Sequence, residues 1–413
     1  MGKQTTTGSQ TSRIVWDNLE EWVRRKVQEF IQALLEEEIT DLLGRKKSER
    51  RKVVDSPAAY RNGHGKARRM TLGCGTIIVY RPRVRGLGER FESRILPLFV
   101  RRTRGISELI PQLYLHGLAL EDFDLALRGL LGEEAPVLAS TVARLKEQWQ
   151  AEWEQWKRRS LDGLEVVYLW VDRVYVKAGL EKEKVALLVV IGGLSDGRKV
   201  VPAVEPGYRE STESWSEVLR DLKGRGMNCP RLVMGDGNLG IWGALSNVYP
   251  NALEQRWNHK VLNVLDRLPK KVQLKAKRQL QDIVYSESRQ EAEEKRDLFV
   301  HWCQREGYHQ ASETLIRDWE RMVTFYRFPK EHWKHPRTTN VVESPFAALR
   351  LRTDAAKRYK KVENATAVIW KMLLLAEQTF RRLDAPEKMK LVYLGIDLQE
   401  GLEVKREEVL AVA

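Results

Sequence analysis

Apolar residues recur at three- and four-residue intervals through Val15, Leu19, Val23, Val27, Phe30, Ile31, Leu34 and Leu35, a stripe that predicts one helix over about residues 14–43, stopped by Gly44. Such a helix either packs on its own region, dimerises, or stays a solvated surface element. Tyr60 to Gly65 reads as turn-rich, with His64 a turn residue. Gly73 to Gly75 reads as a hairpin turn whose second strand, Thr76 to Tyr80, runs on through Arg81, Arg83 and Arg85. From Ser107 to Gln150 the period is helical: Leu109, Leu113, Leu118, Phe123, Leu127 and Leu131 form one stripe, Gly132 breaks it, and a second segment starts near Leu138. That second piece opens on Ser140 and Thr141 and carries Arg144, the layout of a helix-turn-helix or of a plain helical hairpin. Helical character continues through Trp149, Trp153 and Trp156 as a connector.

At residue 164 the period changes. Glu165 to Val176, Val185 to Gly192 and Lys199 to Val204 are rich in β-branched and aromatic residues and are joined by turn signals, which predicts an antiparallel meander of three strands. A helix over Ser211 to Arg220, a short buried strand over Arg231 to Gly235 and a helix over Leu239 to Val248 follow, so the order is mixed α/β with a central parallel pair. Gln279 to Arg305 and Ala311 to Tyr326 read as charged, amphipathic helices.

Composition narrows the partners. The chain has 413 residues, 71 Lys plus Arg against 57 Asp plus Glu, and a net charge of +14, which favours a polyanion, nucleic acid before an anionic membrane. That charge suits no neutral sugar, which disfavours a two-carboxylate glycoside hydrolase. No run of about 18 apolar residues occurs and the first dozen residues lack a signal-peptide core, so a soluble, cytoplasmic protein without membrane contact is expected. Cys74, Cys229 and Cys303 are too few and too dispersed for a disulfide framework or a tight thiolate metal site.

Three acids carry the candidate chemistry. Asp172 interrupts an apolar strand, where an ionised carboxylate needs compensation and a cation supplies it. Asp236 follows the buried strand RLVMG at its carboxyl end, where open α/β sheets place ligands. Glu343 lies in TTNVVESPFAALRLR, where Asn340 can cap a helix and Glu343 falls in its first turn, in line with Ala347 and Arg350. Each acid alone has a plain structural reading; their joint context is what points to a site.

That context resembles the mutator-type transposases of bacterial insertion sequences, from about Tyr60 to Pro386. The matching stretches are VDRVYVKAGLEKEK, YRESTESW, GDGNLGIWGAL, WNHKVLNVLDRLPKK and TTNVVESPFAALRLRTDAAKRYKKVENA. The resemblance implies an α/β fold: an RNase-H-like mixed-sheet catalytic core with an α-helical insertion, preceded by a mainly helical DNA-binding region. It implies that Asp172, Asp236 and Glu343 hold two Mg2+ ions, with Mn2+ able to substitute. The implied reaction is hydrolysis of a strand at the element's end followed by attack of the freed 3′-hydroxyl on a second phosphodiester. The partners implied are double-stranded DNA, as terminal inverted repeats and target, and a second copy of the chain in a homodimer or higher homo-oligomer.

On this reading the chain divides into a tail, amphipathic helix and basic linker (1–58), a DNA-binding region with hairpin and helix-turn-helix (59–160), the first part of the core (161–260), the helical insertion (261–336), the last part of the core with the Glu343 helix (337–386) and a C-terminal tail (387–413). Arg81, Arg83, Ser140, Thr141 and Arg144 are expected to touch DNA. So is the cluster Arg352, Lys357, Arg358, Lys360 and Lys361, with Arg350 and His259 supporting the site or contacting DNA. Two departures from the family pattern stand out: Arg256 occupies the position where a Cys usually precedes His259, and Arg173 follows the first Asp in place of Gly. A DNA-binding remnant without catalysis is the alternative they suggest.

Overall fold

The computed structural model describes residues 15–50, 58–132, 139–179, 183–207, 211–235, 240–337, 340–396, 398–399 and 401–403. It separates into two compact units, Met1–Ala143 and Arg144–Ala413.

In the first unit, α1 (Leu19–Leu43) follows a 3-10 turn at Trp16–Asn18 and ends where Gly44 adopts the left-handed φ of 62°. Leu35, Ile39 and Leu43 are its buried stripe, so the helix is a packing element. Two strands, β1 (Tyr60–Leu72) and β2 (Gly75–Arg85), form an antiparallel hairpin, and Met70, Ile77 and Val79 close a core with Leu35 and Leu96. One edge of β2 is blunted by α1: Gln28 accepts from Ile78 N at 3.1 Å, and Gln32 accepts from Tyr80 N at 2.8 Å and donates to Tyr80 O at 2.9 Å. The turn expected over Tyr60 to Gly65 is instead part of β1. Register shifts on both sides of His64, which faces Pro82, absorb its turn-forming residues as bulges. His64 Nε2 lies 2.6 Å from Glu36 Oε1, so it is a strand residue pinned to α1.

The stripe expected to run unbroken to Leu131 is two helices, α2 (Arg104–Leu115) and α3 (Leu120–Leu131), because Gly117 takes a φ of 101° between them. A single helix, α4 (Ala139–Trp156), then contains both the expected second helix and the connector.

The second unit is built on a five-stranded mixed sheet of β3 (Val166–Val176), β4 (Val185–Leu194), β5 (Lys199–Gly207), β6 (Leu232–Gly235) and β7 (Leu253–Gln255), in the order β5-β4-β3-β6-β7. The first three pair antiparallel; β6 runs parallel to β3, and β7 parallel to β6. Strands β3 and β4 are buried on both faces, which is why they read as continuous apolar runs.

Helices α5 (Thr212–Gly224) and α6 (Ile241–Val248) cover one face, their Trp215, Leu219, Ile241 and Leu245 packing on Leu169, Val171, Leu188 and Val190. Ser211 caps α5 by accepting from Ser214 N at 3.2 Å. The two helix starts touch so closely that a Cβ on Gly240 would lie 2.2 Å from Thr212 N, which leaves glycine as the residue that fits.

After β7 come α7 (Trp257–Asp266), α8 (Lys270–Val284), α9 (Arg289–Arg305), α10 (His309–Arg317) and α11 (Trp319–Met322), with their own core around Leu280, Phe299, Leu315, Phe325 and Trp333. The helix expected over Gln279 to Arg305 is therefore two, parted at Tyr285 to Ser288, where Ser288 caps α9. The chain returns to the sheet through α12 (Asn340–Ala356), which packs against β3, α13 (Val362–Glu377), which packs against β5, and α14 (Pro386–Leu394), again on β3. A two-residue ladder of β8 (Leu398–Gln399) and β9 (Leu402–Glu403) follows. Among the described residues no helix is long and apolar enough to cross a membrane.

Candidate active site

The parallel pairing of β3 and β6 sets the site. Tyr168 pairs with Leu232, Leu169 with Val233, Trp170 with Met234 and Val171 with Gly235. The residues immediately before the first two candidate acids are thus direct partners. Their approach is close: a Cβ on Gly235 would stand 2.6 Å from Val171 Cγ2, so glycine is what lets β6 lie at this spacing. Asp172 is half-buried, and its Oδ1 accepts from Arg173 N at 2.7 Å. Asp236, next after Gly235, lies outside the described residues. Regular alternation from Tyr168 to Val176 places Asp172 on the face of Tyr168 and Trp170, opposite to Leu169 and Val171 with their α5–α6 layer.

Glu343 falls in the first turn of α12, as expected; its side chain is not among those described. The far end of that helix is tied to the exit of β3. Tyr359 N donates to Lys177 O at 2.8 Å, Gly179 N donates to Tyr359 O at 3.1 Å, and Arg358 donates to Gly179 O at 2.9 Å. Among the described residues, which include neither Asp236 nor the Glu343 carboxylate, no group of three His, Cys, Asp or Glu gathers as a metal site.

Beside the β6 edge, β7 leads into an ionic network that sequence patterning does not reveal. Arg256, 8% exposed, lies 4.2 Å from the centre of the Trp242 ring, pairs with Glu254, and donates its backbone N–H to Arg321 O at 3.0 Å. Arg321 also meets Glu254 at 3.0 Å and Asp318 at 3.8 Å, while Lys260 and Asp318, both buried, pair at 2.7 Å. Burial lowers the proton affinity of Arg256, with Glu254 opposing. Burial alone would raise Asp318, but the hydrogen bond and charge of Lys260, together with the charges of Arg317 and Arg256, hold the carboxyl below its ordinary range. Gln255 completes the junction, donating to Met322 O at 2.8 Å and accepting from Phe325 N at 3.1 Å. The helices α7 to α11 are thereby bolted to the sheet beside β6. Arg256, at the position of the usual Cys, is a structural member of this junction. His259 falls in the first turn of α7.

A second junction holds the segment that leads from the insertion to α12. Tyr168 OH lies 2.8 Å from His332 Nδ1, and His332 Nε2 lies 3.1 Å from Ala385 O. The carbonyl can only accept, so Nε2 carries the proton and Nδ1 accepts from the tyrosine. His335 Nε2 accepts from Asp384 N at 3.0 Å. Burial lowers both imidazoles, His335 to about 4. Neither histidine was a candidate, because a buried histidine has no sequence pattern of its own.

The basic candidates divide by exposure. Arg350, Lys357, Arg358, Lys360 and Lys361 are exposed, whereas Arg352, at 2% exposure, is buried and is not available to DNA as expected. Its helical position turns it inward while Arg350 two residues earlier faces solvent. In the first unit Arg83 is exposed, Arg81 is half-buried and donates to Phe91 O at 2.7 Å, and Thr141 accepts from Arg102 at 3.2 Å. Ser140 lies in the first turn of α4, and Arg144 is exposed on that helix.

Comparison with known proteins gives one consistent result. The family model described as Transposase, Mutator family, matches residues 3–382. The transposase for insertion sequence element IS6120 of Mycolicibacterium smegmatis is 41% identical over 305 residues, 73% of this chain and 93% of the relative. The transposase for insertion sequence element IST2 of Acidithiobacillus ferrooxidans is 40% identical over 280 residues, 67% of this chain and 94% of the relative. That for ISRM5 of Rhizobium meliloti (strain 1021) is 26% identical over 373 residues, 88% and 90% of the two chains.

Proposed function

Because the chain belongs to the Mutator family of transposases, we propose that it binds the terminal inverted repeats of an insertion sequence and cuts and joins DNA at a site formed by Asp172, Asp236 and Glu343. The observation that carries this reading is the pairing of Val171 with Gly235, which brings the positions just before the two aspartates side by side at the carboxyl edge of the sheet. An antiparallel meander extended by two parallel strands is the arrangement expected of an RNase-H-like core, and we read the sheet as one.

Glu343 fits the same place by length. Helix α12 packs on β3 and their carboxyl-terminal ends meet at Tyr359 and Ala178, so the two run side by side. From that anchor back to Asp172 is about 20 Å of strand at ~3.3 Å per residue. Helix from Ala356 back to Glu343 also covers about 20 Å at ~1.5 Å per residue. With the link Lys357 to Tyr359 between helix and anchor, these lengths support a Glu343 that reaches toward Asp172.

The donor set suits magnesium, with manganese as substitute: three carboxylates are hard oxygen ligands, and Asp172 sits half-exposed at the sheet edge. Bound divalent cations there would supply a water of lowered pKa and neutralise charge on the phosphodiester. The chain's own part is to hold the three carboxylates on rigid elements, with Gly235 setting the strand spacing and the Tyr168–His332 clasp fixing the approach to α12. The exposed cations Arg350, Lys357, Arg358, Lys360 and Lys361 then meet DNA phosphates beside the site. Pairing two DNA ends calls for at least two copies of the chain.

The test is a duplex ending in the element's inverted repeat, incubated with the full chain. Nicking at the repeat boundary in magnesium, abolished by EDTA and absent on a scrambled end, is expected. Repeat binding without a nick in either magnesium or manganese would instead mark a DNA-binding remnant.

A further inference from the structure

The hairpin of the first unit carries a groove of about 440 Å³ lined by six cations, Lys66, Arg68, Arg81, Arg83, Arg85 and Arg90, and by no acidic residue. Its shape follows from the chain. Pro82 has no N–H to give to the ladder, and β1 bulges on both sides of the residue facing it, which bends the ribbon. Gly65 leaves the floor open beneath Arg83, whose Nε would lie 3.7 Å from a Cβ placed there.

Two of the cations are fixed from below by backbone carbonyls: Arg81 donates to Phe91 O at 2.7 Å and Arg68 to Val100 O. Burial, then Arg101 and Arg81, hold the Arg68 guanidinium below its usual range, so like charges crowd here. Lys66, Arg83, Arg85 and Arg90 are exposed and make no ion pair with any described residue. Other exposed cations do find carboxylate partners, as Lys26 with Glu29, Arg104 with Glu108 and Arg198 with Asp196. A concave surface of unpaired like charge raises its own energy and is relieved by an anion.

We propose that this groove is a clamp for the phosphodiester backbone of duplex DNA, gripping it without reading sequence. Arg81, Arg83 and Arg85 alternate along β2, a row with a repeat of about 6.8 Å, which suits a linear polyanion better than a single phosphate. Backbone contacts fix position and carry no sequence information. The choice of DNA as the polyanion rests on the proposed function; the groove and its charge do not.

The experiment uses the full-length chain with Arg83, Arg85 and Arg90 all changed to Gln, three exposed residues whose loss leaves the hairpin core untouched. Binding is followed by fluorescence anisotropy on a repeat-ended duplex, a scrambled duplex and a single-stranded RNA, between about 50 and 200 mM salt. For the scrambled duplex the slope of log affinity against log salt should flatten by about two to three, and affinity at about 50 mM salt should fall at least tenfold. The repeat-ended duplex should lose the same factor, so the preference between the two stays unchanged. Unaltered slopes on both duplexes would overturn the proposal, as would a loss confined to the repeat-ended duplex or to RNA. A wild-type chain that shows no preference for the repeat, while the triple variant still flattens the slope, would refute repeat binding and leave the clamp standing.

Discussion

His335 sits where the chain leaves the helical insertion for α12, and it should make the stability of that junction depend on pH in a way one substitution exposes. Its Nε2 accepts from Asp384 N at 3.0 Å, so protonation there breaks a hydrogen bond and buries a charge. Burial lowers it from the ordinary 6.5 to about 4. Between those values the unfolded chain binds the extra proton and the folded chain does not, so this group's contribution is full above pH 6.5 and is lost as the pH falls toward 4.

At pH 5 the loss relative to pH 8 is about 2 kcal/mol, an order-of-magnitude figure at ~1.4 kcal/mol per pH unit of difference. Glu205 acts the other way. Burial pushes it up to about 7 from 4.5, so the folded chain binds its proton more tightly and stability grows as the pH falls through that window. The profile of the unaltered protein therefore sums opposing slopes, and only a difference isolates the histidine.

His335→Gln supplies it, keeping an acceptor near Nε2 without titrating. Urea unfolding of both proteins at pH 8, 6.5 and 5, followed by tryptophan fluorescence, should show the variant gaining about 2 kcal/mol on the unaltered chain from pH 8 to pH 5. A difference that stays constant across the three pH values would refute the assignment of a neutral, buried imidazole.

Further substitutions probe the sheet edge and the insertion. Gly235→Ala drives a methyl to within 2.6 Å of Val171 Cγ2; it should cost about 1–3 kcal/mol and suppress nicking. Adding Val171→Ala should restore part of both, and simple additivity would contradict the close-packing account. Lys260→Met leaves the buried Asp318 carboxylate with Arg317 at 3.7 Å and Arg321 at 3.8 Å. It should destabilise the protein in thermal unfolding by about 2–4 kcal/mol. Asp318→Asn on that background should recover stability, whereas an unchanged or deeper loss would argue against the pair.

Much of the second unit's sheet is legible in the sequence itself. Strands β3 and β4, buried on both faces, show as unbroken β-branched runs, and Asp172 stands out within β3 because nothing else there is charged before it. Strand β6 and the helical start at Glu343 are legible too, as a short apolar run and a helical pattern opening at Asn340.

What escapes is set by tertiary context. YRNGHG has turn composition, yet α1 and β2 hold it in a strand through Glu36 and the cross-strand ladder. Strand β7 is three residues long, too short for a period, and is held by Gln255 reaching Met322 and Phe325. The Arg256–Glu254–Arg321–Asp318–Lys260 network joins residues more than sixty positions apart, and a clustered charge run such as Arg350 to Lys361 does not disclose that Arg352 points inward.

The most direct test of the central claim changes the first acid to a softer ligand. A thiolate is a poor partner for magnesium and tolerates manganese better, so Asp172→Cys should bind the repeat-ended duplex like the unaltered chain, fail to nick it in magnesium, and regain nicking in manganese. Nicking by Asp172→Cys in magnesium at the unaltered rate would contradict the placement of Asp172 on the metal.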